Sequence, residues 1–488
     1  MNVRLSGSKT IVSLRYLLAL LLMASCIPDV MARTPEFSDR EPASAPYVQF
    51  SMRFPRVTEE MLEPAFWVKK LSDPDRLIMT PEEIRRFNQR NLRECSTMRD
   101  IQKFPGLLSR RAVIEMVEKV SARPKRTLYL NNQEIGDHYY ESLRRNLNLD
   151  DATANPPIRS VKFGITVKRT EMRSFPTFDR VFSELDDYEF DRFIETALYP
   201  LEPLAIVHQS ADGKWYLAQA YNYLAWVPVE NVALIDRVSL FSYLGRRDFL
   251  VVTGKRVFTG YNPKHPEISE LLLDMGVRVP LAKTEEISLD IAGQHPAGNF
   301  VVKLPARGHD GGVEWRLGLI SRTDEVRVGY LPYTRRNIIR QAFKFLGQRY
   351  GWGGMFNTRD CSAFVLDNLR TMGVLIPRNA GEQGKLSLAV RHRFDENMTL
   401  EERRAIMRNV PPVTPIYMDG HAMLYLCAHD DDYYIIHDFA GFSAPDEAGK
   451  MQRSRTRGVM VTPLLATYLG KEKTYLEGMY AACEFRLP

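Results

Sequence analysis

The chain has 488 residues, of which 44% are hydrophobic and 26% are charged, a composition typical of folded rather than disordered proteins. This length exceeds what one hydrophobic core usually serves, so we expect a multidomain protein with about two to four domains. The 66 basic and 60 acidic residues nearly balance, which gives no support to nucleic-acid binding.

The first segment, residues 1–32, has the layout of an export signal. Basic residues precede an apolar run over residues 16–24, and this run is too short to span a bilayer comfortably. The end of the signal has two interpretations. Residues 23–26 resemble a lipobox, in which Cys26 would carry a lipid and anchor the protein to a membrane, while the small residues at 30–32 fit ordinary cleavage. Both interpretations predict export to the periplasm or cell envelope.

Residues 33–155 are expected to form a mostly α-helical N-terminal region. The stretch from Thr80 to Glu83 supplies an N-cap, a proline at the first helical position and a glutamate three residues past the cap. Further along, apolar residues within 113–120 have the spacing of one helix face. We therefore expect at least these two helices.

The pattern changes near residue 158, where apolar residues begin to alternate with polar or small ones. A turn signal separates two strand-like runs, at 204–207 and 215–218. This β texture continues to about residue 330. We divide it into two small β domains, 156–237 and 238–330, with a shared boundary that is accurate to roughly ten residues.

The last section, residues 331–488, begins with helices and continues with strands, which predicts an α+β domain. An apolar helical stripe ends at Gly347. The glycine-rich loop at residues 347–354 lacks the Gly-Lys-Ser/Thr ending of a phosphate-binding loop. A nucleotide site is therefore not predicted there.

One cysteine in this section has a position typical of a nucleophile. Asp360 can cap a helix whose first turn contains Cys361. Unpaired backbone N–H groups at a helix start favour the thiolate, so we expect a lowered pKa for this thiol. We expect the preceding glycines to let a substrate backbone approach closely. The alternative is a buried core cysteine, the commoner role of a lone cysteine.

Two histidines are placed to serve such a thiol. His421 begins an apolar strand and His437 ends the next one. A hairpin turn centred on His429 pairs residue 421 with residue 437, which would bring both rings to one face. His437 can then orient His421 as the base that activates Cys361. Zinc is the other interpretation, but no Cys-x-x-Cys or His-x-x-x-His pair supports a metal site, and no cofactor is expected.

These residues resemble the NlpC-type cell-wall cysteine peptidases, in the subgroup with a helical N-terminal region and two bacterial SH3 domains. The resemblance covers most of the chain. It rests on motifs at residues 80–84, 173–177, 212–215, 350–354, 360–362, 377–379, 420–421 and 437. It implies a multidomain α+β protein, in which the two β domains are SH3-like barrels and the last domain has a papain-like fold.

The resemblance also implies a reaction. The family cuts the bond between the γ-carboxyl of D-glutamate and the following diamino acid, usually diaminopimelate, in stem peptides with a free N-terminal L-alanine. Carried over to this chain, Cys361 resembles the nucleophile, His421 the base and His437 the orienter. The implied partners are peptidoglycan stem peptides or murein turnover fragments.

The resemblance assigns the substrate's free ammonium to Tyr350, Asp360 and Ser362, since a carboxylate beside a hydroxyl suits a single cation. A tyrosine of the first SH3-like domain, either Tyr221 or Tyr223, would complete this pocket. Structural roles compete with these assignments, because Asp360 could serve only as a helix cap and Tyr350 could only pack against neighbouring rings.

Two other functions stay open at this point. The SH3-like domains could make the chain a non-catalytic wall-binding protein. Alternatively, the same thiol chemistry could serve an amidase or an acyltransferase. The oligomeric state, the physiological role and the diamino acid accepted are not determined by the sequence.

Overall fold

The structure is a computed structural model of the chain. It describes residue 54 and residues 56–149, 158–445 and 449–487, all of which lie in one compact unit, Arg53–Pro488. The predicted export signal and Cys26 lie outside the described residues. Within the described ranges, no helix combines the length and the apolar character needed to cross a membrane.

The N-terminal region is mainly helical. Its helices and strands are α1 Pro64–Lys69, α2 Pro81–Glu94, α3 Arg110–Val120, α4 Asp137–Asn146, β1 Leu107–Ser109, β2 Tyr129–Leu130 and β3 Gln133–Glu134. Helix α2 has the predicted start, because the Glu83 N–H donates to the Thr80 hydroxyl oxygen at 3.3 Å and the Glu83 carboxylate accepts the Thr80 N–H at 2.7 Å.

The helices of this region join two different cores. Trp67 of α1 and Phe87 of α2 belong to the same buried cluster as Phe364 of the C-terminal section. Val113 of α3, in contrast, packs in a cluster with Trp226 of the first β unit. The helical region therefore extends two neighbouring cores.

The first β unit is built on a seven-stranded antiparallel sheet. The strands of this part of the chain are β4 Ile158–Ser160, β5 Lys162–Thr166, β6 Thr170–Arg173, β7 Val181–Phe182, β8 Ile194–Leu198, β9 Pro203–Gln209, β10 Trp215–Gln219, β11 Leu224–Pro228 and β12 Val232–Ile235. The order in the sheet is β12-β5-β9-β10-β11-β6-β8, while β4 and β7 pair with β1 and β2 of the N-terminal region. The predicted strand-like runs lie in β9 and β10.

The second β unit follows a short helix. Its elements are α5 Arg237–Leu244, β13 Phe249–Val252, β14 Arg256–Phe258, β15 Leu272–Asp274, β16 Arg278–Pro280, β17 Asn299–Arg307, β18 Val313–Ser321 and β19 Val326–Val328. They form the sheets β16-β13-β19, β14-β15 and β17-β18. Leu250, Val279 and Ile320 are among the residues of its core.

The C-terminal section packs helices against a six-stranded antiparallel sheet. Its helices are α6 Arg335–Phe343, α7 Cys361–Arg370, α8 Ala380–Gly384, α9 Leu400–Met407 and α10 Tyr475–Gly478. Its strands are β20 Val390–Arg393, β21 Pro415–Met418, β22 His421–His429, β23 Asp432–Phe439, β24 Phe442–Pro445, β25 Met451–Ser454, β26 Gly458–Pro463, β27 Tyr468–Leu469, β28 Lys473–Thr474 and β29 Met479–Glu484. The sheet order is β20-β29-β21-β22-β23-β26, and α7 packs on β22 and β23.

This order of helices, small β units and a mixed C-terminal section confirms the predicted fold class, a multidomain α+β protein. The packing of α7 on β22 brings the start of the helix, with Cys361, to the start of the strand, with His421. The thiol and the imidazole therefore come from two elements that share one core. The domain boundaries at residues 155, 237 and 330 stay predictions.

Candidate active site

Cys361 is the first residue of α7, and Asp360 caps this helix as predicted, since its Oδ1 accepts the Ala363 N–H at 3.0 Å. The cysteine is only 7% exposed. Its Sγ lies 4.0 Å from the carbonyl oxygen of Gly420 and accepts a hydrogen bond from the backbone N–H of Ala422. Within the part of the chain that the structure describes, Sγ makes no hydrogen bond to the His421 ring; such contacts often tighten only in the substrate complex.

Burial dominates the electrostatics of the thiol and the imidazole. It raises the pKa of Cys361 from 9.0 to about 12, with a further contribution from the Asp360 carboxylate. It lowers the pKa of His421 from 6.5 to about 4. The predicted lowering of the thiol pKa is therefore wrong for the free protein, because removal of the thiolate from water outweighs the field of the helix start. At neutral pH both groups are uncharged.

The hairpin of β22 and β23 has a different register from the predicted one. Pairing begins with His429 opposite Asp432, so the turn consists of Asp430 and Asp431, whose φ angles are 46° and 60°. Positive φ at both positions is the signature of a two-residue type I′ turn. The prediction of a turn centred on His429, and with it the pairing of residue 421 with residue 437, is wrong.

A β-bulge in this hairpin nevertheless brings His421 and His437 to the same face of the sheet. Between Tyr425 and Cys427 the pairing shifts by one residue, and beyond this point the register places His437 opposite Met423, diagonal to His421 and on the same face. Without the bulge, a one-residue difference would turn His437 to the other face of the sheet. His421 Nε2 lies 2.8 Å from His437 Nδ1. The two rings are thus in contact as predicted, although by a different register.

The contact continues to a third side chain, Thr462 of β26, whose hydroxyl oxygen lies 3.0 Å from His437 Nε2. If His421 Nδ1 is to accept the thiol proton, the neutral His421 must carry its hydrogen on Nε2 and donate it to His437 Nδ1. His437 must then donate from Nε2 to Thr462. Burial lowers the pKa of His437 well below 6.5, and the neighbouring His421 lowers it further, so His437 stays a neutral acceptor.

Thr462 was not predicted from the sequence. It lies 25 positions beyond His437, and the two residues are brought together because β26 pairs with β23. No local motif marks it, so only the strand order of the sheet could have found it.

Asp360 and Ser362 form a buried polar cluster with Arg378. The guanidinium donates from Nη2 to Asp360 Oδ2 at 2.7 Å and from Nη1 to Ser362 Oγ at 2.8 Å, while its Nε donates to the Thr196 hydroxyl at 2.6 Å. Burial acts to raise the pKa of Asp360, but Arg378 more than offsets this, and the pKa lies below 3.8. The cap role of Asp360 is therefore observed, and its predicted role as ammonium ligand now competes with Arg378.

Tyr350, the third predicted ammonium ligand, lies in the same neighbourhood. Burial raises its pKa, and the Cys361 thiolate and the Asp360 carboxylate would raise it further. Its ring centroid is 6.1 Å from that of Phe190 in the first β unit. Both a packing role and a ligand role fit this position.

Of the two candidate tyrosines in the first β unit, Tyr223 is the better placed. Its hydroxyl donates to the Glu195 carboxylate, on which the Arg378 charge also acts. The Tyr221 oxygen is instead buried without a hydrogen-bond partner among the described residues, and Arg370 is the charge that affects it most. Glu195 was not predicted from the sequence.

The glycines before Cys361 are required by a neighbouring strand. A Cβ on Gly353 would lie 2.5 Å from Ile194 Cγ2, and a Cβ on Gly354 would lie 2.5 Å from Ala197 Cβ, both in β8. The φ angles of these glycines are also positive, 56° and 95°. The loop is therefore pressed against the first β unit. We predicted that these glycines make room for a substrate backbone. That prediction is wrong for Gly353 and Gly354, because β8 fills the space beside them.

Both β units hold this loop in place. Arg169 of the first unit donates from Nη2 to the carbonyl oxygens of Gly354 and Thr358, at 2.9 and 2.8 Å. Its Nε also lies 3.2 Å from Asp274 Oδ2 of the second unit, a carboxylate with no exposure. The segment that leads to Cys361 is thus positioned by contacts outside its own section of the chain.

Comparison with known proteins gives family matches over two segments of the chain. Residues 347–473 match the model of the NlpC/P60 family, and residues 176–228 match an SH3 domain of the SH3b1 type. The first match includes Cys361, His421 and His437. A γ-D-glutamyl-L-lysine dipeptidyl-peptidase of Bacillus subtilis (strain 168) is 36% identical over 72 residues, which are 14% of this chain and 24% of that protein. The match thus spans about a quarter of that relative.

A solved structure has a similar fold. An NlpC/P60 endopeptidase from Photobacterium damselae subsp. piscicida superposes with a TM-score of 0.68 at 18% identity, covering 86% of this chain and 97% of that one. An NlpC/P60 family protein from Bacillus cereus ATCC 10987 gives a TM-score of 0.39 at 20% identity, covering 61% of this chain and 83% of that one. The first likeness extends over most of this chain and shows a similar fold.

Proposed function

We propose that this chain, whose residues 347–473 form an NlpC/P60 family domain, is a cysteine endopeptidase that cuts the γ-D-glutamyl–diamino acid bond of cell-wall stem peptides with a free N-terminal L-alanine. The observation that carries the proposal is the hydrogen-bond chain from His421 through His437 to Thr462. His421 directly follows Gly420, whose carbonyl oxygen lies 4.0 Å from Sγ of Cys361 at the helix start. The Bacillus subtilis relative is named a γ-D-glutamyl-L-lysine dipeptidyl-peptidase, and this name supports the proposed class of substrate.

The reaction begins from neutral groups. As Cys361 Sγ attacks the γ-glutamyl carbonyl carbon, His421 Nδ1 accepts the thiol proton, so charge develops only as the bond forms. The Ala422 N–H at Sγ favours the developing thiolate. The Cys361 N–H at the helix start is free to donate to the carbonyl oxygen as it becomes an oxyanion.

Collapse of this intermediate releases the amine of the diamino acid. His421 gives its proton to the departing nitrogen, and the dipeptide stays on Cys361 as a thioester. A water molecule then attacks the thioester carbon and gives a proton to His421. When the C–S bond breaks and the dipeptide leaves, His421 passes this proton to the Cys361 thiolate and the thiol is restored. Throughout, the neutral His437 Nδ1 accepts from His421 Nε2 and stabilises the imidazolium that forms.

The ammonium of L-alanine requires negative charge at the other end of the site. Because Arg378 already neutralises Asp360, we assign the ammonium to the neighbourhood of Tyr350, Ser362 and the Glu195 carboxylate. Burial raises the pKa of Glu195, and an incoming cation would restore its ionised form.

Cleavage of the tripeptide L-Ala-γ-D-Glu-diaminopimelate tests the proposal. The wild-type protein should release L-Ala-D-Glu, detected by mass, and should act poorly on the N-acetylated tripeptide, which has no ammonium. Cys361→Ala should abolish release, and His421→Ala should lower kcat/KM by roughly a thousandfold or more.

Cys95→Ala is the matched control, because this second cysteine is half-buried and lies in the N-terminal region; it should leave the rate unchanged. If wild-type protein releases no dipeptide, or if Cys361→Ala cleaves as well as wild type, the proposed function is wrong.

A further inference from the structure

A large open cleft adjoins the catalytic histidines. Its volume is about 1050 Å³, and one wall is the segment 184–192 of the first β unit while the other contains β24, β25 and β27 of the C-terminal section. Tyr475 and Phe442 line the cleft on the histidine side. This space is much larger than the cavity of about 20 Å³ beside Arg378.

The cleft lies where the leaving group must go. His421 delivers the proton to the departing amine, so the leaving diamino acid has to extend on the His421 side of Cys361. The Tyr475 ring centroid is 6.3 Å from that of His421 and 5.8 Å from that of His437. A chain that leaves past His421 therefore runs along Tyr475 into the cleft.

The charges of the cleft are only partly paired. Five guanidinium groups and four carboxylates line it. Glu189 is shared between Arg349 and Arg457. Arg453 and Arg455, both exposed, make no ion pair within the described residues. Two arginines on the strand wall are thus available to an anionic ligand.

The two common kinds of diamino acid differ in one charge. Diaminopimelate ends its side chain in an ammonium and a carboxylate, whereas lysine ends in an ammonium alone. An arginine recognises a carboxylate through two parallel N–H donors, which an ammonium cannot accept. A cleft with unpaired arginines therefore suits the side chain that ends in a carboxylate.

We propose that this cleft binds the leaving diamino acid and that Arg453 and Arg455 recognise the carboxylate at the end of its side chain, so that diaminopimelate is preferred to lysine. This inference rests on the proposed function. It concerns the choice of substrate, and the cleavage chemistry at Cys361 does not depend on it.

The test compares two tripeptides, L-Ala-γ-D-Glu-meso-diaminopimelate and L-Ala-γ-D-Glu-L-Lys, with wild-type protein and the variant Arg453→Gln/Arg455→Gln. Wild type should favour the diaminopimelate peptide by about tenfold or more in kcat/KM, the size of one good charge-assisted contact. The double variant should lose most of this preference, through a lower rate on diaminopimelate with an unchanged rate on lysine. Arg247→Gln, an exposed arginine of the second β unit, should change neither rate.

The outcomes separate the two proposals. If wild type cleaves neither peptide, the proposed function fails. If wild type cleaves both equally, or if the double variant keeps the wild-type preference or slows both peptides equally, the inference about the cleft is overturned while the peptidase function stands. Raised salt should also weaken the preference in wild type more than in the double variant, since exposed charges are screened.

Discussion

The two flanks of Cys361 are built in opposite ways. On one flank Asp360 and Arg378 form a buried, charged pair that is saturated by hydrogen bonds. On the other flank His421, His437 and Thr462 form a neutral chain that borders an open cleft. The fixed charges thus hold the geometry of the helix start, whereas the groups that transfer protons are kept uncharged until a substrate arrives.

The largest effect should come from breaking the charged flank. Arg378→Met leaves the Asp360 carboxylate buried without its cation, and we expect a loss of about 3–5 kcal/mol in the free energy of unfolding. Urea unfolding measures it. The loss should shrink as the pH falls, first because burial without Arg378 raises the pKa of Asp360 in the variant, so that its unpaired charge is neutralised. Below 3.8 protonation also removes the ion pair in wild type.

The double variant Asp360→Asn/Arg378→Met serves as the control for this pair. It removes both charges, so it should recover much of the stability that Arg378→Met alone loses. Equal instability of the single and double variants at neutral pH would show that the charge of Asp360 is not what Arg378 compensates.

The neutral flank predicts an unusual pH dependence. Since the pKa of Cys361 is raised to about 12, the thiolate is scarce at neutral pH and increases with pH. Alkylation of Cys361 by iodoacetamide should therefore rise about tenfold per pH unit between roughly pH 7 and pH 10. Since the pKa of His421 is lowered to about 4, the base stays neutral over most of the acid range, and kcat/KM should begin to fall only near that pH.

Mass analysis of the peptide that contains Cys361 follows the alkylation, with the half-buried Cys95 of the same chain for comparison. Fast alkylation of Cys361 at pH 6, with a rate that does not change at higher pH, would instead indicate a preformed thiolate–imidazolium pair. It would contradict the conclusion that Cys361 and His421 are both uncharged in the free protein.

The smallest expected effect concerns the end of the neutral chain. Thr462→Val keeps the shape of the side chain but removes the acceptor for His437 Nε2, which leaves a buried donor unpaired. We expect kcat to fall about tenfold with KM nearly unchanged, because the His421 tautomer is less well fixed. Thr462→Ser retains the hydroxyl and should restore most of kcat.

A positioning role also predicts a shift in the acid limb of the pH profile of kcat/KM for Thr462→Val. A uniform loss of stability with an unchanged pH profile, or a variant with full activity, would assign Thr462 a packing role only.

Several parts of this site were predictable because they are local. The cap by Asp360, the position of Cys361 in the first helical turn and the strand that begins at His421 depend on residue types a few positions apart. The α+β class also comes from the order of periodic segments. The hairpin register was not predictable, because it depends on a bulge within an apolar run that has no sequence signal of its own.

Caps, turns and periodicity act over a few residues, so a cysteine at a helix start, a histidine at a strand start and the short elements that carry them could be predicted from the sequence. The remaining features of the site follow from the tertiary structure. It paired Thr462 with His437, seated Arg378 on Asp360, pressed the glycine loop against β8 and raised the thiol pKa by burial. These depend on distant segments that exclude water from one another, and the free energy of a buried charge or donor is set by what surrounds it.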